Sequence, residues 1–447
     1  MDTKLVRLYK KLTIANLLNW FAMRLFYFSE KVCKILVSCA ICLDNSRIVF
    51  KKNYCYISRE PRNTFLKFKQ LTLPNYSVLE GCRILEQKIL FIVSGKPINL
   101  SLPYTINKHH VMPAKSACEV MLPAVYLSKI NDAIVFRGTD LCVIQDTILY
   151  DEIDRKEKYS YGIKSLIIQK VNTGTITIKF PLKIKHVESA IHFLKDHSSN
   201  YFHWIVECLP RLSLIEDLDI NIPLIVDDDL PEQFYEALEL INKTKRKIIK
   251  LNAIYACKVK KLYYPSQLSI LRDNYGTPFY DKDVIISPKA ISYIRKAFFS
   301  NQNILKNKDR KIFVSRNANA SKRLLNSLEI ENLLVKHGFE IIFPEYLSFA
   351  AQKDIFSQAK LVIGPAGAAM TNIIFLNKDS EVIMLTGDAP NMNLHAFNII
   401  LSQEIGFNLK FLIGTSQKES DKVAIAHSNF TIDIDLLREQ IENIMNI

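Results

Sequence analysis

The sequence predicts an α/β protein built on parallel sheets, and three observations carry that expectation. Between residues 311 and 385, four short apolar runs rich in β-branched residues (311–315, 339–343, 360–363 and 381–385) alternate with three helical windows. A second alternation of the same kind runs from His186 to Tyr264. The polar and glycine-rich segments of the first stretch fall where its strands end. Strands that alternate with helices of this length lie parallel, because each crossover returns the chain to the same end of the sheet, and such sheets bind ligands beyond the carboxyl ends of their strands.

Within the first stretch, a helix is expected over 326–337, with Asn326 and Glu329 spaced as a capping box and Gly338 as its stop. The next helix, 348–359, has Ser348 as N-cap and Ile355, Phe356 and Ala359 at helical spacing, and the third begins in the turn after Ile363. The strand ends carry Arg316, Lys322 and Arg323, then Glu345, then Gly364 and Gly367, then Asp388. Cations, together with glycines that let backbone amides approach at a helix N-terminus, make an anion site, and a nucleotide diphosphate is the guest that fits.

The N-terminal α/β half reads as strand 190–194, helix 201–218, strand 222–226, helix 231–241, and strands 247–251 and 259–264. A Pro-containing, polar stretch at 275–310 divides the halves. Residues 45–184 are β-rich, with short runs such as 133–136 and 175–178 broken by Gly, Asn and Asp.

Composition narrows the class. The 447 residues are 49% hydrophobic with 12 Gly and 16 Pro, a globular balance rather than a disordered one. The nine cysteines form no regular framework and no secretory signal pattern precedes them, so reduced thiols in a cytosolic compartment are expected. Cys39 and Cys42 have redox spacing but lack a second pair, and buried helix positions explain them better. The net charge of +14 invites a nucleic-acid role, but basic stretches interleaved with aromatics are absent outside the N-terminus. Residues 1–34 hold Lys4, Arg7, Lys10, Lys11, Arg24, Lys31 and Lys34 against Asp2 and Glu30, with Trp20, Phe21, Phe26, Tyr27 and Phe28 among them. Two readings stand: an amphipathic segment docking on an anionic membrane face, or a solvated helix packed on the protein.

Two clusters carry chemistry. In the segment 200–211, His203 and Glu207 stand at i and i+4, on one face of a helix, where a carboxylate orients an imidazole or shares its proton. Simple core packing of His203 and Trp204 is the competing reading. Asp227, Asp228 and Asp229 suit a divalent cation on paper, but the run precedes a helix start, where Asp229 serves as N-cap and its neighbours complement the dipole. Neither a Gly-x4-Gly-Lys-Ser/Thr loop nor Gly-x-Gly-x-x-Gly is present.

Taken together, Asn-Tyr-Phe-His-Trp-x3-Glu-x-Leu-Pro-Arg-Leu at 200–212, Arg316 and Arg323, Gly338-Phe with Pro344-Glu-x-Leu-Ser348, Gln352, and Gly364-x-x-Gly-Ala-x-x-Thr-Asn372 resemble glycosyltransferase family 61 in its bacterial capsular-polysaccharide branch, across about 114–398. Two departures are Ala366, where the family commonly has histidine, and Asn326-Ser327, where Asn-Glu is frequent.

The resemblance implies a GT-B-like fold, two Rossmann-like domains facing a cleft, and an inverting, metal-independent hexosyl or pentosyl transfer. A nucleotide sugar would be the donor and a glycan or lipid-linked glycan the acceptor, with no cofactor. The organisation expected is an amphipathic segment at 1–44, a β-rich region at 45–184, an acceptor domain at 185–290 and a nucleotide-sugar domain at 291–447. On this reading Glu207, supported by His203, is the base. Arg316, Lys322 and Arg323, with the Gly364, Gly367 and Ala368 amides, clamp the leaving diphosphate. Glu345 and Asn372 meet the donor, and Asn200, Trp204 and Arg211 face the acceptor. The expected location is cytoplasmic, peripheral on the inner membrane face. A non-catalytic scaffold of a polysaccharide assembly complex is the alternative.

Overall fold

The computed structural model describes residues 47–51, 54–58, 68–100, 104–105, 118–151, 167–172, 174–271, 284–299, 309–316, 323–388, 396–417 and 428–445. The amphipathic segment at 1–44, Cys39, Cys42 and Lys322 lie outside them. The chain divides into a small unit, Met1–Phe68, and a large one, Lys69–Ile447. The small unit contains an antiparallel hairpin, Arg47–Lys51 with Tyr54–Ser58. Everything below concerns the large unit.

Its first sheet has 11 strands. The long strand β1 (Val125–Phe136) is followed by β2 (Lys183–His192), β3 (Leu224–Asp227), helix α1 (Glu232–Ile241), β4 (Ile248–Leu251) and β5 (Tyr255–Pro265). Strands β4, β3, β2 and β5 run parallel in that spatial order, with β2 pairing β5 from Lys183↔Tyr255 to Ile191↔Tyr263. β1 then pairs antiparallel with β5 over Phe136↔Ala256 to Leu127↔Pro265. The β-rich region and the α/β half therefore share one continuous sheet, and 184/185 is not a structural boundary.

After helix α2 (Pro288–Phe299) come β6 (Arg310–Val314), α3 (Ser327–Lys336), β7 (Glu340–Ile342), α4 (Phe349–Ser357), β8 (Ala359–Pro365), β9 (Glu381–Gly387), α5 (Ala396–Ile405), β10 (Asn408–Gln417) and α6 (Ile434–Met445). The expected four strands are all present and parallel, in the order β7, β6, β8, β9, and β10 extends the sheet beyond β9.

Period-two alternation explains why both sheets are covered on both faces. Along β6, Ile312 and Val314 enter one core while Phe313 enters another, and on β8 Val362 is set against Leu361 and Ile363 in the same way. In the first sheet, Leu224 and Val226 point one way and Ile225 the other. One buried cluster holds residues of both halves, including Phe202, Trp204, Phe234, Phe298, Phe349, Phe375 and Phe397, so the helices of the two halves form a shared middle layer.

Three local expectations are corrected. The helix expected over 201–218 is a π-helix, His203–Cys208, running into a 3-10 helix, Leu209–Leu214. Pro210 has no N–H for the i−4 carbonyl and its ring would strike that carbonyl, so the ladder widens before it and tightens after it. The capping box on α3 does not form. Asn326 instead donates to Ile432 O at 2.7 Å and accepts from Ile432 N at 3.1 Å. Asp229 does not cap α1, whose N-cap is Pro231. Arg137 takes up the aspartate run, reaching Asp228 at 3.1 Å and also pairing with Asp229.

Candidate active site

Among the parallel strands of each sheet the strand order reverses direction once, and that reversal opens a crevice at the carboxyl ends of two strands. The N-terminal half has its crevice between β2 and β5, and Arg211 fills it. Its guanidinium donates to His192 O at 2.7 Å and Leu194 O at 3.2 Å beyond β2, and to Pro265 O at 3.1 Å at the end of β5. It lies between the rings of Phe193 and Tyr264 and is 0% exposed. Trp204 is equally buried, donating from its indole to Phe234 O at 3.0 Å. Both were expected to face an acceptor. The structure instead makes Arg211 a plug that satisfies strand-end carbonyls and Trp204 a core ring.

Glu207 is buried as well. It is 0% exposed, Oε2 lies 2.5 Å from His203 Nδ1, and Oε1 accepts the amide of Leu271. Both of its oxygens are therefore engaged inside the protein. The imidazole it orients is 3% exposed and stacks on the His197 ring at a centroid distance of 5.4 Å. Asn200, at the surface, accepts from Phe202 N at 2.9 Å through Oδ1 and caps the helix start.

The loop after β2 is pinned at successive residues. Asp196 accepts from Tyr150 at 2.8 Å and Thr139 at 3.2 Å, and Ser198 donates to Asp227 at 2.6 Å. Asp227 also accepts from Gly138 N at 2.6 Å. Burial pushes its carboxyl up to about 6 despite those donors. Among the described residues no group of three or more His, Cys, Asp or Glu side chains is arranged to hold a metal.

In the C-terminal half the reversal lies between β6 and β8, and here the described residues leave a pocket. A pocket at this point is lined by Ser315, Arg316, Arg323, Ser327, Pro365 and Ala366, among others. Burial lowers the Arg316 guanidinium from its ordinary value, while Glu345 pulls the other way, so the two expected residues are electrostatic neighbours. Gly367 gives the Arg316 guanidinium its room, because a β-carbon there would displace it. Gly364 is required by packing, with Met370 Sδ at 2.6 Å and Val314 Cβ at 2.9 Å from where its β-carbon would stand.

The helix after the glycine turn is a 3-10 helix, Ala368–Phe375, rather than an α-helix. The N-terminus of α3 contributes instead. Its N-cap side chain is turned away to Ile432, leaving its first turn without a side-chain cap beside the pocket residue Ser327. Sequence reasoning missed this because the capping residue looked satisfied locally.

Asn372 is placed away from the pocket, at 0% exposure. It accepts from Tyr201 Oη at 2.6 Å and donates to Gln352 Oε1 at 2.8 Å. Tyr201 begins the helical segment that carries His203, so this joint sets the imidazole's helix beside the glycine turn's helix. The T-shaped contact of Phe202 with Phe397, at 4.7 Å, adds to it.

No curated protein matches the chain. Residues 201–383, which run from Tyr201 of this joint through the plug, the pocket and both glycines to β9, match the model of the family Glycosyltransferase 61.

Proposed function

We propose that the protein is a glycosyltransferase that moves a sugar from a nucleotide-activated donor to a hydroxyl of a growing surface glycan, capsular or lipopolysaccharide. The observation that carries this reading is the pocket that the described residues form at the strand-order reversal of β6 and β8, where Arg316 rests on Gly367 beside Arg323. The family match, in the coarse sense of a glycosyltransferase, supports it. In a transfer of this kind the leaving diphosphate gathers negative charge. Two guanidiniums and the uncapped first turn of α3 answer that charge where it develops. Glu345, exposed just after β7, meets the donor's sugar or ribose hydroxyls in this reading.

On the acceptor side the roles of the His203–Glu207 pair are exchanged relative to the sequence expectation. His203 takes the acceptor proton, and Glu207 holds the ring and the Nδ1 proton. Asn200 and His197 are the neighbouring residues in contact with solvent, and they present the acceptor. The two halves act as nucleotide and acceptor sides, in the manner of a GT-B enzyme.

The pair of arginines suffices to neutralise the diphosphate, so transfer should persist in EDTA. Loss of activity that Mn²⁺ or Mg²⁺ restores would overturn this part. No described helix is long and apolar enough to cross a membrane. Contact with an anionic membrane face is assigned to residues 1–34 and tested by vesicle flotation with and without them.

The deciding experiment is calorimetric titration of wild type and Arg316→Ala with nucleoside diphosphates, run beside transfer assays with a panel of nucleotide sugars. Binding that Arg316→Ala weakens, together with transfer, is the expected result. Failure of the wild type to bind any nucleotide would favour the scaffold reading.

A further inference from the structure

Beside the proposed base lies a second buried charge that the chemistry above leaves without a part. Lys195, in the loop after β2, is 2% exposed, and its ammonium lies 3.8 Å from Glu207 Oε2, the oxygen that is 2.5 Å from His203 Nδ1. We propose that Lys195 is a positioning residue for the transfer: it balances the Glu207 charge, so that the His203 ring stays neutral with its proton on Nδ1 and Nε2 unprotonated. The inference rests on the reading of His203 as base.

The physical argument is one of charge balance. A buried carboxylate whose nearest ionisable neighbour is an imidazole favours the doubly protonated ring, because a lone buried charge is the costlier state. A doubly protonated ring cannot accept a proton. An ammonium on the same oxygen makes that second proton the unbalanced charge, and the ring remains a base.

Among the described residues, the other ionisable groups around the ring are engaged elsewhere or differently placed. His197 stacks on it, and Cys208 follows Glu207 with its thiol pushed up to about 12 by burial. Arg211 is held on three carbonyls, and Asp227 is tied to Ser198 and Gly138. Lys195 is also held in place. Its neighbours on the chain are fixed through Arg211 to Leu194 O and through Tyr150 and Thr139 to Asp196.

The test is a nitrogen-15 side-chain titration of the full chain, with the His203 signals assigned by their loss in His203→Gln. The expected wild-type state near neutral pH is a ring protonated on Nδ1 and bare on Nε2. In Lys195→Met the His203 midpoint should rise by at least about 1 to 2 pH units, the size expected for removing a unit charge no more than about 6 Å away at an intermediate effective dielectric. The acid limb of the pH–rate profile should rise with it, while Lys195→Arg keeps the wild-type midpoint. An unmoved midpoint in folded Lys195→Met overturns the inference. If that variant does not fold, the wild-type tautomer decides: a proton on Nε2 overturns the inference, and Nδ1–H with a neutral ring supports it. Should His203→Gln keep full transfer activity, the base assignment fails, while the ring titration still decides the charge balance.

Discussion

Replacing Arg211 tests whether a motif arginine serves the fold or the substrate. Its three bonds run from a guanidinium to buried carbonyls, and each such charge-assisted bond contributes about 1.5 to 3 kcal/mol net. Arg211→Ala removes all three, strands the acceptors on His192, Leu194 and Pro265, and leaves a void between the Phe193 and Tyr264 rings. Partial relaxation and entry of water offset some of this. A loss of at least about 4 kcal/mol remains, at the upper end of what single substitutions cost. Lysine reaches fewer of the three carbonyls and lacks the planar fork, so Arg211→Lys should cost about 2 to 3 kcal/mol.

Urea unfolding reports the difference, with fluorescence of the buried Trp204 contributing to the signal. A slope of about 3 kcal/mol per molar turns the loss for Arg211→Ala into a fall of about 1 M or more in the midpoint. Arg316→Ala, beside the open pocket, should leave the midpoint within about 0.3 M of wild type while weakening nucleoside diphosphate binding. An Arg211→Ala protein with an unchanged midpoint and a selective loss of transfer would return Arg211 to the acceptor surface and refute the plug.

Three further outcomes are expected. Gly367→Ala forces its β-carbon against Arg316, so calorimetry should show nucleoside diphosphate binding at least about tenfold weaker with the fold intact; wild-type affinity would mean the guanidinium is not where the ligand needs it. Tyr201→Phe strips a donor from buried Asn372 and should cost about 1 to 2 kcal/mol of stability, read from the urea midpoint; no change would show that the joint is not held by this bond. Asp227 has its folded-state value raised to about 6 from 3.8, so its contribution to stability is complete below pH 3.8 and is lost as pH rises through 6. The wild-type urea midpoint should therefore carry a fall between pH 4 and 6 that Asp227→Asn lacks, and identical pH profiles would refute the assignment.

The parts of the fold that were legible in the sequence are those decided locally. β6, β7, β8 and β9 stand where β-branched runs predict strands, and Ser348 caps α4 by accepting from Ala351 N at 3.2 Å, as its position implies. What was not legible is set by contacts across long stretches of chain. Asn326 gives up its helix for a residue 106 positions away, and Asp229 is taken by Arg137 from 92 positions away. Asn372 is claimed by Tyr201 across 171 positions. A side chain with good local geometry for a cap or a ligand contact is redirected when a distant partner satisfies it in a drier place. The π-helix has a local signal in Pro210, but that residue announces an interrupted ladder without saying which way the turns adjust.

Arg211 and Arg316 show why residue type and motif membership leave a role undecided. Each stands at the strand-order reversal of its own sheet, where parallel strands diverge and leave strand-end carbonyls to be satisfied. At β2 and β5 the guanidinium turns inward and spends its donors on those carbonyls, and in the function proposed above the acceptor meets His203, His197 and Asn200 instead. At β6 and β8 the guanidinium lies against a glycine that has no β-carbon to displace it, and it lines a pocket beside Arg323 and the start of α3. The first arginine is then a matter of stability and the second of affinity. For that reason the urea midpoint and the calorimetric Kd should respond to the two substitutions in opposite ways.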